Sequence, residues 1–165
     1  MSIRFVVDLL HDLGILGELN CFDQLELHLY NPQFQLLNYL TSKMIVPQAY
    51  SPLGSTNSPL FTDEVATEIA RKYGLETADV LLGYLRKAPS GHSHRDTCPD
   101  HECDFILVAK DVVVLPKSVT PARIEANFTG ALAAYNKLTT NDVAKLDGVA
   151  ASGKQKRLIT PPWGK

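Results

Sequence analysis

Cysteine is scarce in this chain: three in 165 residues, an odd number, with Cys98 and Cys103 close together. That excludes the fully paired disulfide scaffold of a small secreted domain. No apolar run approaches the roughly 20 residues needed to cross a bilayer as a helix. The opening MSIRFVVDLLHDLG is interrupted by Asp8 and His11 and lacks a small-residue cleavage site, so it does not read as a signal peptide. Charge of one sign is missing too. Sixteen basic against 18 acidic residues leave a net charge of −2, with no general attraction for nucleic acid or an anionic membrane. A cytoplasmic protein is the expectation. What is present is apolar content, 45% of the residues, enough for the core of one domain.

Hydrophobic periodicity divides the chain. Ile3, Phe5, Val6, Leu9, Leu10 and Ile15 recur at helical spacing and predict an opening amphipathic helix. Phe22–Tyr30 alternates like a strand, and Asn31 with Pro32 then caps and starts a helix that buries Leu36, Leu37, Tyr39 and Leu40. A second strand, Ile45–Tyr50, runs into the Ser-, Gly- and Pro-rich loop Ser51–Phe61. Thr62 is expected to cap a helix ending at Gly74, and Thr77 the next one, through Leu85. Val112–Leu115 reads as a third, buried strand, followed by a helix to about Tyr135 and a short last helix capped by Thr140. Strands alternating with helices predict an α/β fold with a parallel sheet.

The most informative segment is VVVLPKSVTPARIEANF, residues 112–128. A buried strand ends in Pro116, Lys117 and Ser118, and Thr120 and Pro121 then open a helix as N-cap and first residue. A helix N-terminus, a Lys, a Ser hydroxyl and Arg123 one turn in are the parts of an anion site, suited to a nucleotide phosphate.

Four pieces in order, DQLELHLYNPQ (23–33), AYSPLGS (49–55), LPKSVTPARIEANF (115–128) and KRLITPPWGK (156–165), resemble aldo-keto reductases, and most of all fungal or yeast-type members with PPW-containing tails. The resemblance implies a partial (β/α)8 TIM barrel of about three parallel strands with flanking helices. It also implies NADP(H) as cofactor and a small-molecule carbonyl as substrate. Tyr50 would stack on the nicotinamide and Gln24 hydrogen-bond its carboxamide. Ser51, Leu53 and Ser55 would wrap the pyrophosphate and ribose. Lys117, Ser118 and Arg123 would bind the 2′-phosphate, and Asn127 the adenine. The chain departs from the family's pattern twice. Asp23 stands where an Asn usually precedes the Gln, and Ala126 stands where an acid usually precedes the Asn. Glu125 is one position early, about 100° round the helix.

A complete barrel of this kind takes about 250 residues. The family's catalytic Asp, Tyr, Lys and His belong to the half that this chain does not represent, so its catalytic residues are unknown; the spacing of Lys110 and Tyr30 pairs them with nothing. His28 aligns with a structural His of the family. Residues 1–165 are expected to form one shortened domain. Three strands cannot close a barrel, and Leu25, Leu27 and Val113 are expected on the face left open, which predicts a homo-oligomer of half-barrels covering each other. Residues 88–104, polar and aperiodic, read as an inserted loop. Its His92, His94, Cys98, His101 and Cys103 are zinc-ligand types without Cys-x-x-Cys or His-x-x-x-His spacing, so no metal is assigned and the question stays open. The basic tail, with Lys154, Lys156 and Arg157, reads as a solvated terminus that in the family closes over the substrate pocket. Three functions follow. One is an NADPH-dependent reductase. Another is a redox-inactive cyclase or isomerase of a fungal pathway, with Tyr30, His28 and Lys117 orienting the substrate. The third is a non-catalytic remnant.

Overall fold

The structure, a computed structural model, describes residues 22–43, 45–87 and 112–159. The opening helix, the 88–104 insertion with its Cys and His residues, Cys21, Lys110 and Trp163 lie outside the described residues.

Three strands form one sheet in the order β1 (Phe22–Glu26), β2 (Val46–Tyr50) and β3 (Val113–Leu115), all parallel. Parallel strands need covered crossovers. Here β1 leads through α1 (Phe34–Ser42) to β2, and β2 leads on to α2 (Glu64–Tyr73) and α3 (Thr77–Arg86). After β3 come α4 (Pro121–Lys137), α5 (Thr140–Val149) and a wide final turn, Ala150–Lys154. The pleat sorts the side chains. Leu25 and Ala49 pair across the strands on the helix-covered face and are buried, as is Leu27 just beyond β1. Gln24 and Gln48 pair on the opposite face. Leu25 and Leu27 are therefore core residues rather than the open face, a correction that follows from Gln24 and Glu26 taking the other parity.

The first strand is also shorter than its alternation suggests. It stops at Glu26 because the chain turns at His28–Asn31, where the Asn31 side chain donates to the Glu26 carbonyl at 2.7 Å. Asn31 is thus spent on that turn, and the N-cap of α1 is Gln33, in the left-handed region at φ 45. Three other caps shift by one residue from the expected Thr. Asp63, Glu76 and Thr139 hold the N-caps of α2, α3 and α5. The Asp63 carboxylate and the Thr139 hydroxyl accept from free N–H groups of their helices, and the acids at Asp63 and Glu76 complement the helix dipole. Gly74 ends α2 at φ 63, as its position suggests.

Helix α3 is the centre of the molecule, buried from Val80 through Leu85. It lies against α4, whose buried residues Ala131 and Ala134 are small. At the crossing a Cβ on Gly83 would come 2.5 Å from the Ala134 Cβ. The two backbones are that close because both surfaces are small.

Candidate functional site

In open parallel sheets ligands gather beyond the C-terminal ends of the strands, where the loops leave unpaired backbone groups. Here those ends are level. Glu26 pairs with Tyr50 and Tyr50 with Leu115. Two residue pairs earlier, on the same face, the Gln24 amide donates to the Gln48 Oε1 at 3.1 Å. Gln24, Glu26 and Tyr50, together with Asn31, Gln33 and Arg157, line a cleft of about 250 Å³. Gln24 and Tyr50 come from separate sequence motifs, and the register brings them to one place. Asp23 is not in the cleft lining; it has a buried, unpartnered carboxyl oxygen, and burial raises its pKa.

The β2–α2 loop is folded on itself. Ser51, at φ 50, accepts from the Gly54 N–H at 2.8 Å, and Ser55 accepts from the Ser58 N–H at 3.1 Å. Leu53 packs against the core, while Ser55 is exposed. A single 3-10 turn, Pro59–Thr62, then leads to α2.

Beyond β3, Lys117 is exposed and Ser118 half-buried. The Ser118 hydroxyl accepts from the Thr120 N–H at 3.2 Å, so it shapes the turn into α4, while Thr120, the N-cap residue, makes no side-chain cap. Arg123 is exposed in the first turn of this 17-residue helix, and Asn127 is half-buried one turn on. Glu125 and Ala126 are both exposed.

The tail is not a free terminus. Lys154 donates to the buried Asp63 at 2.7 Å, and the Lys156 N–H donates to the Tyr30 carbonyl at 2.9 Å. Arg157 Nε donates to Glu26 Oε2 at 2.7 Å, and Leu158 and Ile159 donate their N–H groups to Glu26 Oε1 at 2.5 and 2.9 Å. Arg157 also reaches the Tyr50 hydroxyl, at 3.4 Å. Burial alone would raise the Glu26 pKa. The bonds from Arg157, Ile159, Leu158 and His28 outweigh it and hold the carboxyl below its ordinary value. His28, fully buried, donates from Nε2 to Glu26 at 3.1 Å, and its Nδ1 has no partner. Burial pushes the His28 pKa down, against the pull of Glu26, and favours the neutral ring.

His28, Tyr30 and Lys117 do not converge. His28 is enclosed, the Tyr30 hydroxyl donates to Asp63 at 3.0 Å, and Lys117 lies beyond the far strand. Sequence reasoning passed over Glu26 and Gln48. Glu26 had a signal: an acid inside an apolar alternation needs buried partners. Gln48 had none.

No protein-family profile matches the chain. Its sequence is 34% identical over 144 residues to glycerol 2-dehydrogenase (NADP(+)) of Saccharomyces cerevisiae, covering 86% of this chain and 36% of that protein. It is 33% identical over 167 residues to D-galacturonate reductase of Hypocrea jecorina, covering 99% of the chain and 44% of the relative. Among solved structures, aldose reductase of Giardia lamblia superposes with a TM-score of 0.67 at 23% identity, over 95% of this chain and 46% of that one. Aldose reductase of Schistosoma japonicum gives 0.60 at 27%, over 90% and 40%. The kinship is with the aldo-keto reductases, over their C-terminal half. The chain spans less than half the length of these relatives. Its three-stranded sheet with flanking helices is accordingly a part of the aldo-keto reductase TIM barrel. In that frame the level strand ends form part of the mouth where barrel enzymes place their sites.

Proposed function

We propose that this chain forms the nucleotide-holding side of an NADP(H)-dependent aldo-keto reductase that reduces a small-molecule carbonyl. The observation that carries the reading is the shared cleft of Gln24 and Tyr50, with the Lys117–Arg123 turn following the adjacent strand end. The residues present suit the cofactor chemically. Lys117, the Ser118 hydroxyl and Arg123 near a helix N-terminus are a donor set for a dianionic phosphate, which favours NADPH over NADH. The Tyr50 ring offers a flat face to the nicotinamide, and the Gln24 amide offers a donor and an acceptor to its carboxamide. Ser51, Leu53 and Ser55 lie along the path of the pyrophosphate and ribose, and Asn127 serves the adenine. When bound, NADPH supplies the hydride. The residues of this chain bind and orient it, and none of them is assigned the proton transfer.

One continuous core joins the strands, the helices and Leu158, which supports reading the described residues as parts of one domain. Leu115, Val119, Ile124 and Phe128 are exposed around the end of β3 and the start of α4, with Val119 84% accessible. Apolar surface of this kind supports assembly into a homo-oligomer.

Titration of NADPH into the purified protein, followed by its fluorescence, tests the reading. Removing one charged hydrogen bond costs about 1.5–3 kcal/mol. Lys117→Ala and Arg123→Ala should each therefore weaken binding by about tenfold or more. Binding unaffected by either change would move the phosphate elsewhere.

A further inference from the structure

A carboxylate buried to 2% exposure is costly unless donors surround it. Of the four groups that donate to the Glu26 carboxylate among the described residues, only the His28 ring belongs to its own stretch of chain. The other three are the Arg157 guanidinium and the N–H groups of Leu158 and Ile159, more than 130 residues away in sequence. The carboxylate therefore serves the tail rather than the strand. Arg157 in turn stands in the cleft wall and reaches the Tyr50 hydroxyl. Leu158 completes the contact from the other side: a Cβ on Gly54 would come 3.0 Å from its Cδ1, so the tail also rests on the β2–α2 loop.

We propose that Glu26 is a positioning residue, a clasp that fixes residues 157–159 so that Arg157 stands in the cleft wall and holds the Tyr50 ring for its ligand. The clasp itself is a statement about this chain's own bonds; its effect on nucleotide rests on the reading above. The tail has separate ties at Lys154 and Lys156, to Asp63 and the Tyr30 carbonyl. Loss of the clasp should thus free residues 157–159 and leave the rest attached.

Two readouts on the full chain test this. The first is amide hydrogen exchange without nucleotide. In Glu26→Gln the Leu158 and Ile159 amides should exchange about tenfold faster or more, with the Lys156 amide unchanged. The second compares NADPH with 2′,5′-ADP, which carries the phosphate and adenine but no nicotinamide. Glu26→Gln should weaken NADPH by about tenfold and 2′,5′-ADP by less than about twofold. Arg157→Ala, at a largely exposed side chain, keeps the two backbone bonds to Glu26. It should leave Leu158 and Ile159 protected while lowering NADPH affinity selectively, and it carries the test if Glu26→Gln does not fold. Unprotected Leu158 and Ile159 amides in the wild type, or protection unchanged in Glu26→Gln, overturn the clasp. Equal weakening of both ligands overturns the positioning role. A folded wild type that binds 2′,5′-ADP but not NADPH overturns that role as well, and one that binds neither removes the nucleotide reading with it while the exchange result still judges the clasp.

Discussion

Among the described residues, His28 is the one through which falling pH first reaches the fold. Its ring is fully buried, and burial lowers its pKa from the ordinary 6.5. The folded state therefore binds fewer protons than the unfolded chain below about pH 6.5, and stability falls as pH falls. Glu26 adds to this later. Its pKa is depressed from an ordinary 4.5, so the stability it contributes is complete above that value and is lost as pH drops below it. Thermal melts should show Tm declining from about pH 6.5 towards 5, with a steeper fall beneath 4.5. His28→Gln should abolish the upper part of that decline, and a slope unchanged by the substitution would contradict the assignment. The same two residues mark how far the sequence could be read. His28 was legible as a packed residue because the resemblance aligns it with a structural His of the family. The role of Glu26 was not, because its partners lie at the far end of the chain and nothing local announces them. Arg157 and Lys154 read as solvated for the same reason, since a basic tail looks alike whether or not carboxylates wait for it.

Elements were easier to find than to bound. The three strands follow from β-branched and alternating runs, and the parallel order follows from helices between them. Their ends depend on particular side chains. Asn31 is consumed by the turn after β1, and acids rather than the neighbouring threonines cap α2 and α3. Asp142 shows how such a residue also joins elements. Buried at the start of α5, it completes the capping box with Thr139 and accepts from Tyr73 and Lys72 of α2 at 2.7 and 2.9 Å. The α3–α4 contact was invisible in the sequence, because a glycine and two alanines give no periodic signal of their own. At Gly83 it leaves no room for a side chain, since a Cβ there would meet the Ala134 Cβ and the Tyr135 backbone. Gly83→Val should overpack it, with a loss of about 1–3 kcal/mol in urea unfolding. A midpoint equal to that of the wild type would mean that α3 and α4 can separate freely.

At the scale of the whole molecule, the strand ends, the loop after β2 and the turn after β3 compose one side of a barrel mouth. Motif resemblance singled out Gln24, Tyr50, Lys117 and Arg123 because they stand in short stretches at or just after a strand, and those are the positions they hold in the fold. It could not show that Leu53 turns inward to the core or that Ser118 is engaged in shaping the helix start. The central claim is that these parts together hold a 2′-phosphorylated dinucleotide. The most direct measurement is the pair of dissociation constants for NADPH and NADH on the wild-type chain in the same buffer and salt. Phosphate recognition by Lys117, Ser118 and Arg123 predicts that NADPH binds tighter by about tenfold or more, with the difference shrinking as salt rises. Equal affinities, or a folded protein that binds neither nucleotide, would contradict it.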